Sequence, residues 1–482
     1  MSLKQKTVSG LLWSFIDSFT NLGIHFIVGI ILARILTPKE FGLVGILTIF
    51  IAISQSLISS GFSQALIRKT DPSQQDYSTV FYFNIVIGFI CFLILFLSAH
   101  SISRFFSEPE LEPLIKVLGI SVVIIAFSII QQTILTKRID FKLQTKISVT
   151  SSLISGIIAI IMALLGFGVW SLVIKTITMY GITSILLWVL NKWKPSLIFS
   201  IKSFKELFSF GSKLLVSGLI DTIFQNIYYF IIGKYFSARD LGFYSRADQF
   251  RSLPSSNLTA VVQRVSFPVL SSIKEDVIML KESYQKLIKS TMLICFVLML
   301  GMSATAKPMI LALIGEKWEP SVAYLQLLCF AGMFFPLHAL NLNMLQVQGR
   351  SDLILRLEII KKILAIPVII IGIKWGLKIM ILGMIVNNII SYYLNSYWSG
   401  RFIGYSFLDQ VKDIMHSFIL AASMAVVVYV LGLTINLSPL AVFIIQLLTG
   451  AFFIVIVCES LRFKDYLYIK EIIKEKLIQI NI

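Results

Sequence analysis

Ser14, Asp17, Asn21 and His25 recur every three or four positions in a stretch that is otherwise apolar, so on a helix they share one face. Ser217, Asp221 and Gln225 repeat the arrangement 200 positions later. Asn257, Arg264 and Ser271, and then Asn388, Ser391 and Asn395, also fall at multiples of a helical turn. Carboxylate, amide, imidazole and guanidinium groups at these spacings suit the holding of hydroxyls, phosphates or a small cation. Arg264 fits an anionic headgroup, because a guanidinium stays charged and binds phosphate oxygens in pairs. It equally fits a structural ion pair, with Asp221 as partner. Asp17 and Asp221 suit either a coupling proton or cation or the packing of helices.

These residues need long apolar helices to position them. With 57% hydrophobic and 14% charged residues and a mean hydropathy of +0.86, the chain lies outside the range of soluble domains and reads as an integral membrane protein. Runs such as 79–99, 117–135 and 439–458 each supply about 20 apolar residues, enough for a ~30 Å hydrocarbon core. A membrane β-barrel would instead show short alternating segments. About fourteen spans are predicted, the polar faces falling on those at 10–34, 210–236, 250–272 and 378–400. The first run is too long for a signal-peptide core and is taken as the first span.

An even number of spans puts both termini on one side. Lys and Arg divide 27 to 12 in favour of the side of the N-terminus, which makes that side cytoplasmic. The net charge of +17 then reflects topology and attraction to anionic headgroups, at about 1 kcal/mol per residue, and requires no nucleic acid. Two cytoplasmic stretches read as interfacial amphipathic helices, 194–208 and the tail with Ile469, Ile472, Ile473, Leu477 and Ile480 opposite Lys470 and Lys474.

Cys91, Cys295, Cys329 and Cys458 show no CxxC spacing, and the four histidines form no HExxH pair. A phosphate-cradling Gly-Lys-Ser/Thr loop and a GxSxG elbow are missing as well. No metal site and no catalytic residue is assigned; the chain is expected not to be an enzyme, and to need no cofactor beyond a coupling H+ or Na+.

Residues 36–42 read LTPKEFG and residues 236–242 read FSARDLG. Sliding the chain by 200 positions also sets Arg34 against Lys234, Asn21 against Asp221, His25 against Gln225 and Gln64 against Arg264. A duplication of six spans places the second copy at the seventh span, with unchanged orientation. Two such halves are a common plan of secondary transporters, with the substrate path at their interface. The predicted polar cleft is lined by Asn21, His25, Gln64, Gln225, Asn257, Arg264 and Asn388.

The segments LARILTPKEFGLVGI (32–46), SSGFSQALIRKTD (59–71), LTKRIDFK (135–142), GFGVWSLV (166–173), FPVLSSIKED (267–276) and QVQGRSDLILRLEIIKK (346–362) resemble those of bacterial polysaccharide-repeat-unit flippases of the O-antigen and exopolysaccharide type. These belong to the multidrug/oligosaccharidyl-lipid/polysaccharide exporter superfamily. The resemblance implies an all-α inner-membrane protein with two pseudo-symmetric six-helix lobes, at 1–192 and 210–405, joined by a cytoplasmic linker at 193–209. An extra helix pair at 406–460 and a cytoplasmic tail at 461–482 would follow.

It also implies alternating-access transfer of undecaprenyl-pyrophosphate-linked oligosaccharide. Arg34, Arg68, Lys234, Arg246 and Arg251 would then sit at the mouths of the cleft, and polymerase and chain-length machinery would be expected partners. Two other functions stay open at this point, a cation-coupled multidrug exporter and a membrane polysaccharide polymerase or ligase. Against the latter, the longest outside segment, 237–249, is short for a catalytic loop.

Overall fold

The computed structural model describes residues 3–59 and 61–480, and its regular structure is helical throughout. The chain divides into two compact units, Met1–Gly242 and Phe243–Ile482. The first holds α1 (Leu3–Ile35), α2 (Pro38–Ser59), α3 (Phe62–Arg68), α4 (Gln74–Phe106), α5 (Leu111–Leu118), α6 (Ile120–Lys137), α7 (Phe141–Leu164), α8 (Val169–Asn191) and α9 (Ile201–Tyr235). Helix α10 (Ala238–Ser272) starts in the first unit and continues into the second. There follow α11 (Val277–Ala304), α12 (Ala306–Leu313), α13 (Pro320–Gly332), α14 (Phe335–Val347), α15 (Ser351–Trp375), α16 (Leu377–Ile403), α17 (Phe407–Thr434), α18 (Pro439–Ser460) and α19 (Lys464–Ile480).

The order repeats. Three long helices, a short helix leading into further helix, and two long helices run from α1 to α8 and again from α9 to α16; α17 and α18 form the extra pair. Among the described residues, twelve stretches are long and apolar enough to cross a membrane, against about fourteen predicted. The two that fall short are α10, which is polar and carries Pro254 and Pro268, and α15, which carries Arg356, Glu358, Lys361 and Lys362.

Within the first unit α7 is the packing centre. Apart from Ile147, its buried face is made of Thr145, Ser151, Ser152, Ser155, Gly156, Ala159 and Ala163, small residues that let α1 and α8 approach closely. Helix α9 packs on α2, α3 and α4. The segment read as an interfacial helix over 194–208 is extended as far as Ser200, and its last residues form the first turns of α9. Docking explains the difference: the Trp193 indole donates to Gln74 Oε1 at 2.8 Å, Gln131 donates to the Trp193 carbonyl at 3.0 Å, and the Ser196 N–H donates to Ser78 Oγ at 2.9 Å.

In the second unit α11 packs against α17, α13 and α14 pack on α16, and α12 and α17 pack on α18. The tail is helical as expected, although the side chains of Ile472, Ile473, Leu477 and Ile480 lie outside the described residues. All four cysteines are buried and free, and no group of metal-ligating residues occurs among the described residues.

Candidate functional site

The repeated heptapeptides start α2 and α10 by the same device. Thr37 and Ser237 are N-caps, and the acid three residues on bonds back to each. Glu40 Oε2 accepts from the Thr37 N–H at 2.6 Å and from its hydroxyl at 2.8 Å; Asp240 Oδ2 accepts from the Ser237 hydroxyl at 2.6 Å. The closing glycines explain why the copies match so well. A Cβ on Gly42 would lie 1.6 Å from the carbonyl oxygen of Ala238, and one on Gly242 would lie 1.8 Å from that of Pro38. Each turn therefore receives the backbone of the other, and no side chain fits between them.

Deeper in the first unit, the face predicted on α1 meets α7. Ser148 donates to Asp17 Oδ1, Asn21 Nδ2 donates to that same oxygen at 3.0 Å and to Ser148 Oγ at 3.0 Å, and Ser152 Oγ donates to Asn21 Oδ1 at 2.6 Å. Asp17 and Asn21 are thus engaged in interhelical bonding. His25, half-buried about one turn beyond Asn21, lies within electrostatic reach of Lys175 on α8. Gln55 on α2 donates to the Tyr180 hydroxyl at 2.6 Å.

Other predicted residues of this unit are separated from that cluster. Gln64 is exposed on α3, and Arg68 at the end of α3 lies over the Phe210 ring at 4.5 Å. Asp221 and Gln225 are exposed on α9, and Arg34 is exposed in the last turn of α1. Lys234 donates to the Phe105 carbonyl and covers the Phe105 ring at 4.2 Å. Next to Arg68, Lys69 lies 3.1 Å from both Asp76 and Glu206; burial pulls its ammonium down, but these carboxylates hold it above the ordinary lysine range.

In the second unit the long α10 relocates the arginines. Because it begins at Ala238 rather than near residue 250, Arg264 lies about three-quarters of the way along it, about 12 Å from its Ser272 end. Arg264 is exposed and makes no ion pair or hydrogen bond among the described residues. Arg251, well inside the helix, is half-buried. It pairs with Asp248, lies over the Phe335 ring at 4.8 Å, and fits its aliphatic stem against Gly332, where a Cβ would come within 2.5 Å of Arg251 Cδ. Arg246 lies one to two turns before it, and Asn257 donates to the Leu253 carbonyl at 2.5 Å. Asn388 on α16 donates to the Ala331 carbonyl at 3.1 Å.

Sequence reasoning counted Lys361 and Lys362 only among the cations of the N-terminal side; they sit three turns inside α15, and Lys361 pairs with Glu358. The spacing of Glu358 and Lys361, one helical turn apart, was the available signal. It also missed His338, inside α14. A separate feature is an apolar groove of about 480 Å³ between α11, α12, α17 and α18, lined by Met302, Met309, Met424, Phe443, Leu447 and Gly450 among others.

Comparison with known proteins follows the same lines. The family profile described as "Polysaccharide biosynthesis protein" matches residues 31–323. The teichuronic acid biosynthesis protein TuaB of Bacillus subtilis is 28% identical over 73% of this chain and 73% of its own. The lipopolysaccharide biosynthesis protein WzxC of Escherichia coli is 26% identical over 90% of this chain and 89% of its own. Among solved structures, lipid II flippase MurJ in an inward closed conformation superposes with a TM-score of 0.78, covering 95% of this chain and 100% of that one at 15% identity. An inward-facing multidrug resistance MATE family transporter of the MOP superfamily gives 0.64 over 82% of this chain and 98% of that one, also at 15% identity. At that distance the likeness shows a shared fold.

Proposed function

Since the chain belongs to the polysaccharide biosynthesis protein family, we propose that it is a flippase carrying undecaprenyl-pyrophosphate-linked oligosaccharide repeat units across the bacterial inner membrane for surface-polysaccharide assembly. The observation that carries this reading is the groove between α11, α12, α17 and α18. A groove of methionine, leucine and phenylalanine has little to offer a sugar or a phosphate, but its flexible thioethers suit a long isoprenoid tail. The polar residues of α10 and α16 supply hydrogen-bonding groups for the part of the molecule that cannot stay in hydrocarbon.

In this proposal the headgroup crosses by alternating access while the tail remains in lipid. Arg264, exposed and without an ion-pair partner among the described residues, engages the pyrophosphate, with Arg34, Arg68, Lys234, Arg246 and Arg251 drawing it in. Both termini are cytoplasmic, basic segments meet anionic lipid, and polymerase and chain-length machinery consume the delivered unit. The work of transfer comes from an H+ or Na+ gradient.

Reconstitution into vesicles with a labelled polyprenyl-diphosphate oligosaccharide tests the proposal. Transfer between leaflets is the expected result; folded protein that transfers nothing under any imposed gradient overturns it. In a complemented deletion strain, Arg264→Gln should lower polysaccharide export at normal protein level, and full export would remove Arg264 from the mechanism.

A further inference from the structure

A second groove, of about 210 Å³, runs between α2 and α4 in the first unit. Phe50 and Leu57 mark its ends on α2, and Ile102 and Cys91 mark them on α4. At 1.5 Å per residue the α4 side is about 16 Å long, half of a ~30 Å hydrocarbon core, and its Ile102 end lies about 6 Å short of Phe106, the last residue of α4. Its walls are hydrocarbon. The two hydroxyls that line it are bonded within their own helices, Ser54 Oγ donating to the Phe50 carbonyl at 2.8 Å and Ser98 Oγ to the Ile94 carbonyl. This leaves no donor for a phosphate inside the groove. A partner helix, about 10 Å across, is too wide for it, whereas a single hydrocarbon chain is not.

The head of the groove is cationic. Phe105 and Phe106 continue the groove face of α4 one turn beyond Ile102. Phe106 meets Phe50 with ring centroids 6.3 Å apart, and Phe105 and Phe106 meet Phe230 on α9 at 5.7 and 5.5 Å. One turn further along α9, Lys234 donates to the Phe105 carbonyl and holds its ammonium 4.2 Å from the centre of the Phe105 ring. An ammonium has three N–H donors. The other two have no partner among the described residues, and Lys234 makes no ion pair there.

A chain-wide groove with a cation at the level of the headgroups is the outline of one phospholipid, acyl chain along the wall and phosphate at its head. Length decides between lipids. An acyl chain spans one leaflet, whereas the long isoprenoid tail assigned to the larger groove of about 480 Å³ overruns a half-bilayer site. The unpaired ammonium favours a net anionic lipid over a zwitterionic one, whose own amine it repels.

We infer that Lys234 and the α2–α4 groove bind an anionic glycerophospholipid, one acyl chain lying along residues 91–102 and the phosphate at the Lys234 ammonium, in the leaflet on the side where α4 ends. This goes beyond the flippase reading and does not rest on it; it gives Lys234 a duty besides drawing in the transported headgroup. The bound lipid fills the seam between α2 and α4 and ties both to α9.

The test uses the full-length protein in phosphatidylcholine vesicles containing phosphatidylglycerol with a diazirine in one acyl chain, the adducts being mapped by mass spectrometry after illumination. Labelling should gather on the groove at Cys91, Leu95 and Ile102, while the bare face of α4 at Phe89, Leu93 and Leu97 reports bulk lipid. The ratio of groove to bare-face labelling should be about fivefold higher for phosphatidylglycerol than for phosphatidylcholine carrying the same diazirine, and should fall about fivefold in Lys234→Gln, the effect of one cation at headgroup level. Ser98→Phe, which fills the groove, should abolish groove labelling by both lipids. A ratio that is equal for the two lipids, or unchanged in folded Lys234→Gln, overturns the inference, because the groove then holds bulk lipid only. Retained groove labelling in folded Ser98→Phe overturns it too; if that variant does not fold, the Lys234→Gln ratio decides. Unlabelled phosphatidylglycerol should displace the label, and displacement by an equal amount of free polyprenyl diphosphate instead would assign the groove to the transported lipid and overturn the phospholipid site.

Discussion

In the first unit α7 packs on α1 through hydroxyls, Ser148 and Ser152 meeting Asp17 and Asn21, whereas in the second unit its counterpart α15 carries Arg356, Glu358, Lys361 and Lys362 and packs on α14 and α16. The element order is the same and the chemistry is not. A duplicated scaffold conserves what the backbone needs, namely caps, turns and close approaches, while side chains along the spans diverge. A second difference concerns α4 and α11. Phe89, Leu93, Ile94 and Leu97 leave one face of α4 bare, whereas α11 packs against α17, and it is this added pair that creates the apolar groove.

The strongest way to break this comparison is at the point where the copies are most alike. Gly42→Val and Gly242→Val each force a side chain into a carbonyl less than 2 Å from the new Cβ, and each should cost about 3 kcal/mol or more, read as a lower melting temperature in detergent. Equal losses would support the reciprocal packing; a variant melting with the wild type would refute it. Next, Asp17→Leu removes the acceptor shared by Ser148 and Asn21 and should cost about 1–2 kcal/mol, while Asp17→Asn, which keeps an acceptor, should cost less. If Asp17→Asn instead abolishes transport with stability intact, Asp17 does more than pack.

Leu447→Trp probes the apolar groove of the second unit. It should reduce lipid transfer about tenfold with little change in melting, because Leu447 is exposed at the groove and the larger ring fills space there. The smallest effect is expected at the turn before α15. Arg350 pairs with Asp352 at 2.8 Å and holds its carboxyl down at about 2. A depressed folded-state value adds stability above the ordinary carboxylate range, and this is lost as pH falls through about 2. Arg350→Ala should flatten that acid limb slightly and leave neutral-pH melting unchanged, since the pair is exposed.

Much of the fold was legible because lipid imposes a simple rule. Every spanning segment must satisfy its own backbone, so apolar run length translates directly into helices. The internal repeat was legible at LTPKEFG and FSARDLG because identical caps and close-approach glycines tolerate few alternatives. The capping role of Thr37 with Glu40 was present as a Thr-x-x-Glu spacing, yet the charges drew attention first. A second repeat, Arg138-Ile139-Asp140 against Arg350-Ser351-Asp352, escaped the 200-residue offset because the halves drift to an offset of 212 at that end. Helix α10 was cut short because Arg246, Asp248, Gln249 and Arg251 read as loop, and this displaced Arg264 to an apparent mid-span position.

The sequence alone therefore determined the class, the helical runs, the duplication and the polar residues placed along the spans, since hydropathy and periodicity are local properties. Only the tertiary structure decided what those residues do to one another. Whether Asp17 meets Ser148, whether Gly42 faces Ala238, and whether His338 is left with an unpaired nitrogen beside Lys361 depend on contacts between helices tens or hundreds of residues apart, and a helical period carries no record of its neighbour.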